Sequence, residues 1–400
     1  MMATETPPSQ RDGSSPLREV SLLAARLGFT AFGGPAAHIA MLREEIVVRR
    51  RWTSEAHFLD LLGAVNLIPG PNSTEMVIHT GYERAGWRGL LAAGGLFILP
   101  AATMTLILAW LYVRYGTTPE GLWLLYGIKP VVIAVVLQAI WWLGRTAFRD
   151  RWLTVAGIAA ATMALLGINE LAVLFGIGGL VMLVRNARRL GSTSPIVAIA
   201  PLSFGRSTAR GFAAGAGVLG AAATEPYGAG KLFLIFLKIG ATLYGSGYVL
   251  LAFLQNDLVD RTGWLTRSQL LDAVAVGQFT PGPVFTTATF VGYIAGGVWG
   301  AVVATVGIFL PAFVLVAVTN PLIPRLRRSP WTAAFLDGVN AAAIGLMAAV
   351  AWSLGSAAVV DASTATLAVV TALLLIRFKV NSAWLILAGA TIGLLVKGAG

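Results

Sequence analysis

The chain has 400 residues, of which 56% are hydrophobic and 12% charged, with a formal net charge of +11, three histidines and no cysteine. That balance lies far outside a soluble globular protein and marks an integral membrane protein, and without cysteine there are no disulfides, thiol redox steps or thiolate metal sites. Most Lys and Arg fall between apolar runs, where orientation bias and lipid headgroups account for them, so nucleic-acid binding is excluded; part of the excess can still draw in an anion.

In chain order, residues 1–17, rich in Pro, Ser and Thr, read as a disordered tail; the apolar stretch that follows has no cleavage-site pattern and is expected to be retained. Uncharged runs then cover Gly89 to Val113, Trp152 to Asn169, Ala273 to Pro324, Gly338 to Val360 and Val380 to Val396. The run from Ala273 to Pro324 as continuous helix would be roughly 78 Å long against a hydrocarbon core of about 30 Å, so at least two spans are expected there. The fold class is therefore all-α: a polytopic helical bundle with about ten to twelve spans, not a β-barrel.

The chain repeats itself. Arg26 to Val77 aligns without a gap on Lys238 to Thr289: Gly28, Thr30 and Gly33 meet Gly240, Thr242 and Gly245, Arg49 and Trp52 meet Arg261 and Trp264, and Leu59-Asp60 meets Leu271-Asp272. One residue drops out, and the match resumes with Gly81-Tyr82 on Gly292-Tyr293 and Leu99-Pro100-Ala101 on Leu310-Pro311-Ala312. The predicted organisation is a first repeat over 18–190, a linker over 191–229 rich in Gly, Ser and Pro, and a second repeat over 230–400. Basic clusters follow the second, fourth and sixth apolar segments of the first half and the first, third and fifth of the second. This change of parity predicts opposite orientations, an inverted repeat whose halves meet near the membrane midplane.

Each half contains Pro-Gly-Pro inside apolar sequence, at Pro69-Gly70-Pro71 and Pro281-Gly282-Pro283. Proline removes a donor and clashes with the preceding turn, so each copy is expected to break a membrane helix. The freed backbone groups survive in a bilayer only when buried in protein or lining a polar cavity. If Pro71 and Pro283 open a resumed helix, the amides of its first turn point into the break. Ser73 and Thr74 after the first copy, and Thr286 and Thr287 after the second, then complete an anion cradle. The structural alternative is a packed kink with hydroxyls bonded back to backbone.

A second break is expected at Gly33-Gly34 and its counterpart Gly245-Ser246, where close helix packing is the competing explanation. Arg26 and Lys238, about two turns earlier, either neutralise an anion at the break or anchor at the interface. Asp60, Asp272 and Glu75 are candidate proton carriers, with ion pairing or helix capping as their structural alternative. No Walker loop, HExxH or GxSxG motif is present, no zinc spacing arises from the histidines, and no cofactor is implied.

The ordered set Phe32-Gly33-Gly34-Pro35, His38-Ile39, Arg49 to Trp52, Asp60-Leu61-Leu62 and Ile68-Pro69-Gly70-Pro71 resembles the chromate ion transporter family. The likeness continues through Gly81, Gly86, Gly89 and Leu99-Pro100, and recurs in the second half. It implies a long two-domain member with antiparallel halves in the bacterial cytoplasmic membrane, exporting chromate and conferring resistance to it. Alternating access would be driven by membrane potential or a proton gradient. The second half departs from the pattern, with Ser246-Gly247 for Gly34-Pro35 and Leu250 for His38. Sulfate or another oxyanion is the alternative cargo, a membrane enzyme or scaffold the alternative class. The expected partners are the lipid bilayer, the oxyanion and, as one open assembly, a homodimer.

Overall fold

The computed structural model describes residues 15–32, 34–66, 68–190, 227–244, 249–319 and 330–398. The expected tail, most of the linker and three candidate site residues, Gly33, Gly245 and Ser246, lie outside the described residues. Every regular element described is helical. In the first half these are α1 (Pro16–Thr30), α2 (Gly34–Arg43), which continues as a π-helical segment Glu44–Arg49, α3 (Glu55–Val65), α4 (Asn72–Tyr115), α5 (Pro119–Ala147), α6 (Arg151–Leu165) and α7 (Glu170–Leu190). The second half has α8 (Ala229–Thr242), α9 (Leu250–Leu254) with the π-helical Gln255–Arg261, α10 (Arg267–Phe279), a 3-10 turn Val284–Thr286, α11 (Thr287–Thr319), α12 (Pro330–Ala358), α13 (Ala362–Phe378) and α14 (Ser382–Gly398).

Local sequence sets many of the starts. Ser15, Thr118 and Asp150 accept first-turn amides of α1, α5 and α6, Pro16 and Pro119 occupy early positions where a missing N–H is harmless, and Thr266 with Gln269 forms a capping box on α10. Five described helices are long and apolar enough to cross a membrane: Asn72–Tyr115, Pro119–Ala147, Glu170–Ala187, Val284–Thr319 and Pro330–Ala358. Trp110, Ile107, Trp299, Val314 and Trp352 are exposed on their outer faces. Large apolar side chains turned outward all around a bundle face lipid. The protein is a multi-pass helical membrane protein.

Two of these long helices reverse direction. In α4 the backbone leaves helical geometry at Ala85 and Gly86, and Gly86 takes φ +60°; in α11 the same occurs at Gly296 and Gly297, with φ +63° at Gly297. The two arms of each hairpin touch backbone to backbone: a Cβ on Gly81 would lie 2.3 Å from the Gly89 carbonyl oxygen, and one on Gly292 2.3 Å from that of Gly300. The uncharged run from Ala273 is accordingly divided into the end of α10, the Pro-Gly-Pro, a short arm to Ala295 and one long arm. An arm over 72–84, or α3 with its 11 residues, falls short of the roughly 20 residues a crossing needs. Each Pro-Gly-Pro is therefore the tip of a re-entrant pair of half-length helices.

Helix contacts come in matched pairs. α1 lies along α4 as α8 lies along α11; α6 and α7 pack on α12 as α13 and α14 pack on α5; and α4 packs on α11, α5 on α12. The last two helices of each half thus cover the long helix of the other.

Candidate functional site

The tips meet the broken helices of the opposite half. α1 ends at Ala31 with extended backbone, and α8 ends in the same way at Leu243. α2 and α9 begin only at Gly34 and Leu250, so the carbonyls of Ala31 and Leu243 do not continue a helix ladder. Each is taken by a tip: the Gly282 amide donates to Ala31 at 2.9 Å and the Gly70 amide to Leu243 at 2.8 Å. Four interrupted elements, two from each half, converge in the protein interior.

The two tips differ in their side chains. In the second, Thr286 donates to the Pro283 carbonyl and Thr287 to that of Val284, each at 2.8 Å, and Thr105 reaches Thr286 at 3.4 Å. Thr286, Thr287, Val284 and Phe285 are buried. This tip matches the packed, back-bonded alternative. In the first, Ser73 bonds to His38 Nδ1 at 3.3 Å, and His38 Nε2 reaches the Ala31 carbonyl at 3.0 Å. A carbonyl only accepts, so neutral His38 carries its proton on Nε2 and Ser73 is the donor to Nδ1. Ser73 is thereby linked through His38 to the carbonyl that also holds the second tip.

Beside it, Thr74 Oγ1, both carboxylate oxygens of Glu75 and both ring nitrogens of His79 are buried and have no hydrogen-bond partner among the described residues. Glu75 folds back over Gly70, where a Cβ would lie 2.2 Å from Glu75 Oε1. Tyr244, from the break in the second half, is a neighbour of Glu75. The amides of Thr74 and Glu75 both turn to Pro71, and those of Asn72 and Ser73 have no carbonyl behind them within the helix.

A cavity of about 540 Å³ runs to this first tip. Its lining includes Asn66, Asn72, Pro35 and Val249, Gln138 from α5 and Asn340 from α12, Arg149 just past the end of α5 and Asp337 in the first turns of α12. The polar side chains that line it, Asn66, Asn72, Gln138 and Asn340, were not singled out from sequence. Their signal was an amide side chain inside an apolar run, which is rare enough in membrane helices to be noted.

The other candidates are distributed around this centre. Arg26 is largely exposed and pairs with Glu45 at 3.1 Å, while Arg49 reaches the same carboxylate at 3.2 Å. At aligned positions Lys238 pairs with Asp257, Arg261 reaches Asp257 at 3.3 Å, and Lys238 also holds Glu170 at 3.2 Å. Glu45 and Asp257 both sit on the π-helical segments, whose extra residue turns them inward under these cations. Asp60 is exposed, whereas its counterpart Asp272 is 1% exposed, accepts from Tyr112 Oη at 2.9 Å and has Lys129 at 3.7 Å. Gly34 opens α2 with φ +77° beside the large cavity. Among the described residues no group of three or more His, Asp or Glu could hold a metal.

The family model described as chromate transporter matches residues 18–183 and again 230–394. A chromate transport protein of Pseudomonas aeruginosa is 37% identical over 81% of this chain and 77% of its own length. One from Cupriavidus metallidurans is 31% identical over 94% of this chain and 92% of its own, and a probable chromate transport protein of Synechococcus elongatus is 30% identical over 87% of each. No solved structure matches the chain.

Proposed function

We infer that this chain, which belongs to the chromate transporter family, carries chromate out of the cytoplasm through the cavity that ends at the first Pro-Gly-Pro tip. The observation that carries this reading is the cavity itself, which runs from Arg149 to Asn66 and Asn72 beside amides with no helical acceptor. A tetrahedral dianion suits such a place: backbone N–H groups at a helix start, hydroxyl and amide side chains, and a cation at the mouth. The basic residues Arg145, Arg149, Arg151 and Arg185 support a cytoplasmic mouth for the cavity, from which this conformation accepts its anion.

The aligned tips, matched helix contacts and change of charge parity support two inverted repeats, with transport as an exchange between two arrangements of the same elements. A dianion leaving a negative interior moves down the electrical gradient, with about 2.3 kcal/mol per charge per 100 mV available. Export on this basis confers resistance to chromate. The test is uptake of radiolabelled chromate into everted membrane vesicles. Wild-type vesicles accumulate it; the combined Asn72→Ala, Ser73→Ala and Thr74→Ala variant, present at equal amount, accumulates several-fold less, and unchanged uptake overturns this placement of the site. Sulfate has the same shape and charge, and competition by excess sulfate in the same vesicles decides between the two cargoes.

A further inference from the structure

Glu75 is wholly buried at depth in the bundle, without a hydrogen-bond donor or a charged neighbour among the described residues. The groups that face it are Tyr244 across the half interface, His79 one turn along its own helix and His38 beyond Ser73; none of these carries a fixed charge. A carboxylate left ionised in such surroundings is disfavoured, so burial here favours the neutral acid over the anion. The fold does not require an acid there. At the second tip the aligned residue is Thr287, whose hydroxyl closes on the Val284 carbonyl and leaves nothing unsatisfied. Nor is the position accidental, because Glu75 occupies the space that the missing side chain of Gly70 leaves open, directly against the tip.

Given the transport reading above, on which this rests, we propose that Glu75 carries a proton that must be present for the oxyanion to bind at the first tip, so that proton and anion are bound and carried together. The reason is electrostatic. An oxyanion at the amides of Asn72 and Ser73 stands within one helical turn of the Glu75 carboxyl, and two anions at that separation in a dry interior exclude one another. The neutral acid removes the repulsion and offers an O–H donor. Binding of the dianion therefore takes up a proton when the acid is ionised, and the proton in turn strengthens binding by the same factor. His79, on the same face, provides the next station for that proton. The carried complex of one dianion and one proton has a net charge of −1, so export is aided by the membrane potential and opposed by an inward proton gradient.

The test uses full-length protein in nanodiscs, with chromate as the probe, from about pH 7.5 to about pH 9.5, where chromate stays a dianion. In weakly buffered solution the wild type is expected to take up about one proton per chromate bound at the alkaline end, and its affinity to fall by up to tenfold per pH unit there. Glu75→Gln, which keeps shape and neutrality, is expected to bind chromate with the acid-limb affinity at every pH and to take up no proton. Chromate binding by the wild type with no proton uptake, or with proton release, overturns this proposal alone, and needs no variant to fold. A Glu75→Gln protein that keeps the wild-type slope overturns it as well. No chromate binding by the wild type at any pH overturns the transport reading, and this proposal with it.

Discussion

The amide of Gly70 donates to the carbonyl of Leu243 at 2.8 Å, and the aligned amide of Gly282 donates to Ala31 at 2.9 Å. Each re-entrant tip is thus tied to the interrupted helix of the opposite half by its own glycine. These glycines lie at φ +144° and +86°, and neither tolerates a side chain without displacement.

Gly282→Ala places a methyl 2.7 Å from the Ala101 Cβ in a left-handed conformation. Backbone strain of this kind costs on the order of 1–3 kcal/mol, and the melting temperature in detergent should fall accordingly. Adding Ala101→Gly should return only the steric part of the loss. Full recovery in the double variant would show that the positive φ is harmless.

Two glycines of the α4 hairpin separate conformation from contact. Gly86→Ala meets open space and pays only for a backbone conformation that favours glycine, on the order of 1–3 kcal/mol. Gly81→Ala forces a methyl against the Gly89 carbonyl and the Ala93 side chain, and is expected to abolish accumulation of folded protein, measured by size-exclusion profiles of a fluorescent fusion.

The aligned cations Arg26 and Lys238 should behave differently. Arg26→Met removes an exposed guanidinium from Glu45, which keeps Arg49 and Arg50, and should cost at most about 1 kcal/mol. Lys238→Met leaves Asp257 without its ammonium and deprives Glu170 of its ion pair, two carboxylates 2% and 4% exposed, and breaking buried pairs costs about 3–5 kcal/mol. Thermal unfolding of the two variants side by side checks this, and equal losses would contradict it.

At the aqueous start of α13, Asp361 accepts from Tyr126 Oη at 2.6 Å and from the Thr364 amide at 2.9 Å. The hydrogen bond from Tyr126, then that from Thr364, hold its carboxyl down to about 2. A lowered value means that its stabilisation is complete above the ordinary aspartate range and disappears as pH falls through about 2. Asp361→Asn should therefore be less stable than wild type at neutral pH, with the difference closing only in strong acid, as read by chemical denaturation.

His38→Leu, copying Leu250 of the second half, removes the bonds to Ser73 and Ala31. Two buried hydrogen bonds are worth about 1–3 kcal/mol together. Chromate uptake should fall several-fold while His57→Leu, in an exposed pair with Glu83, leaves it unchanged.

Alignment of the chain on itself exposed Pro-Gly-Pro, its flanking hydroxyls and the broken helices, because these are backbone requirements written in residue type. It did not expose the reversals at Gly86 and Gly297. The cluster of Arg84 and Arg88 marks a segment end without a reversal, and Gly296-Gly297 lies in an uncharged run where small residues also serve helix packing. Nor did it rank the two tips. Thr286 and Ser73 are both small hydroxyls, and only position shows that one bonds back to Pro283 while the other faces His38. Asp60 and Asp272 align, yet one is exposed and the other is gripped by Tyr112 from a distant helix, a partner that no local pattern announces.

The crossing of α6 and α7 onto α12, and of α13 and α14 onto α5, has an evolutionary reading. Such an exchange of arms is how two separate copies of one subunit would clasp each other, and here it takes place within a single polypeptide. Copies encoded by one gene must stay identical; fused ones are released from that rule. Glu75 against Thr287 and His38 against Leu250 are positions at which the two halves have drawn apart around their tips.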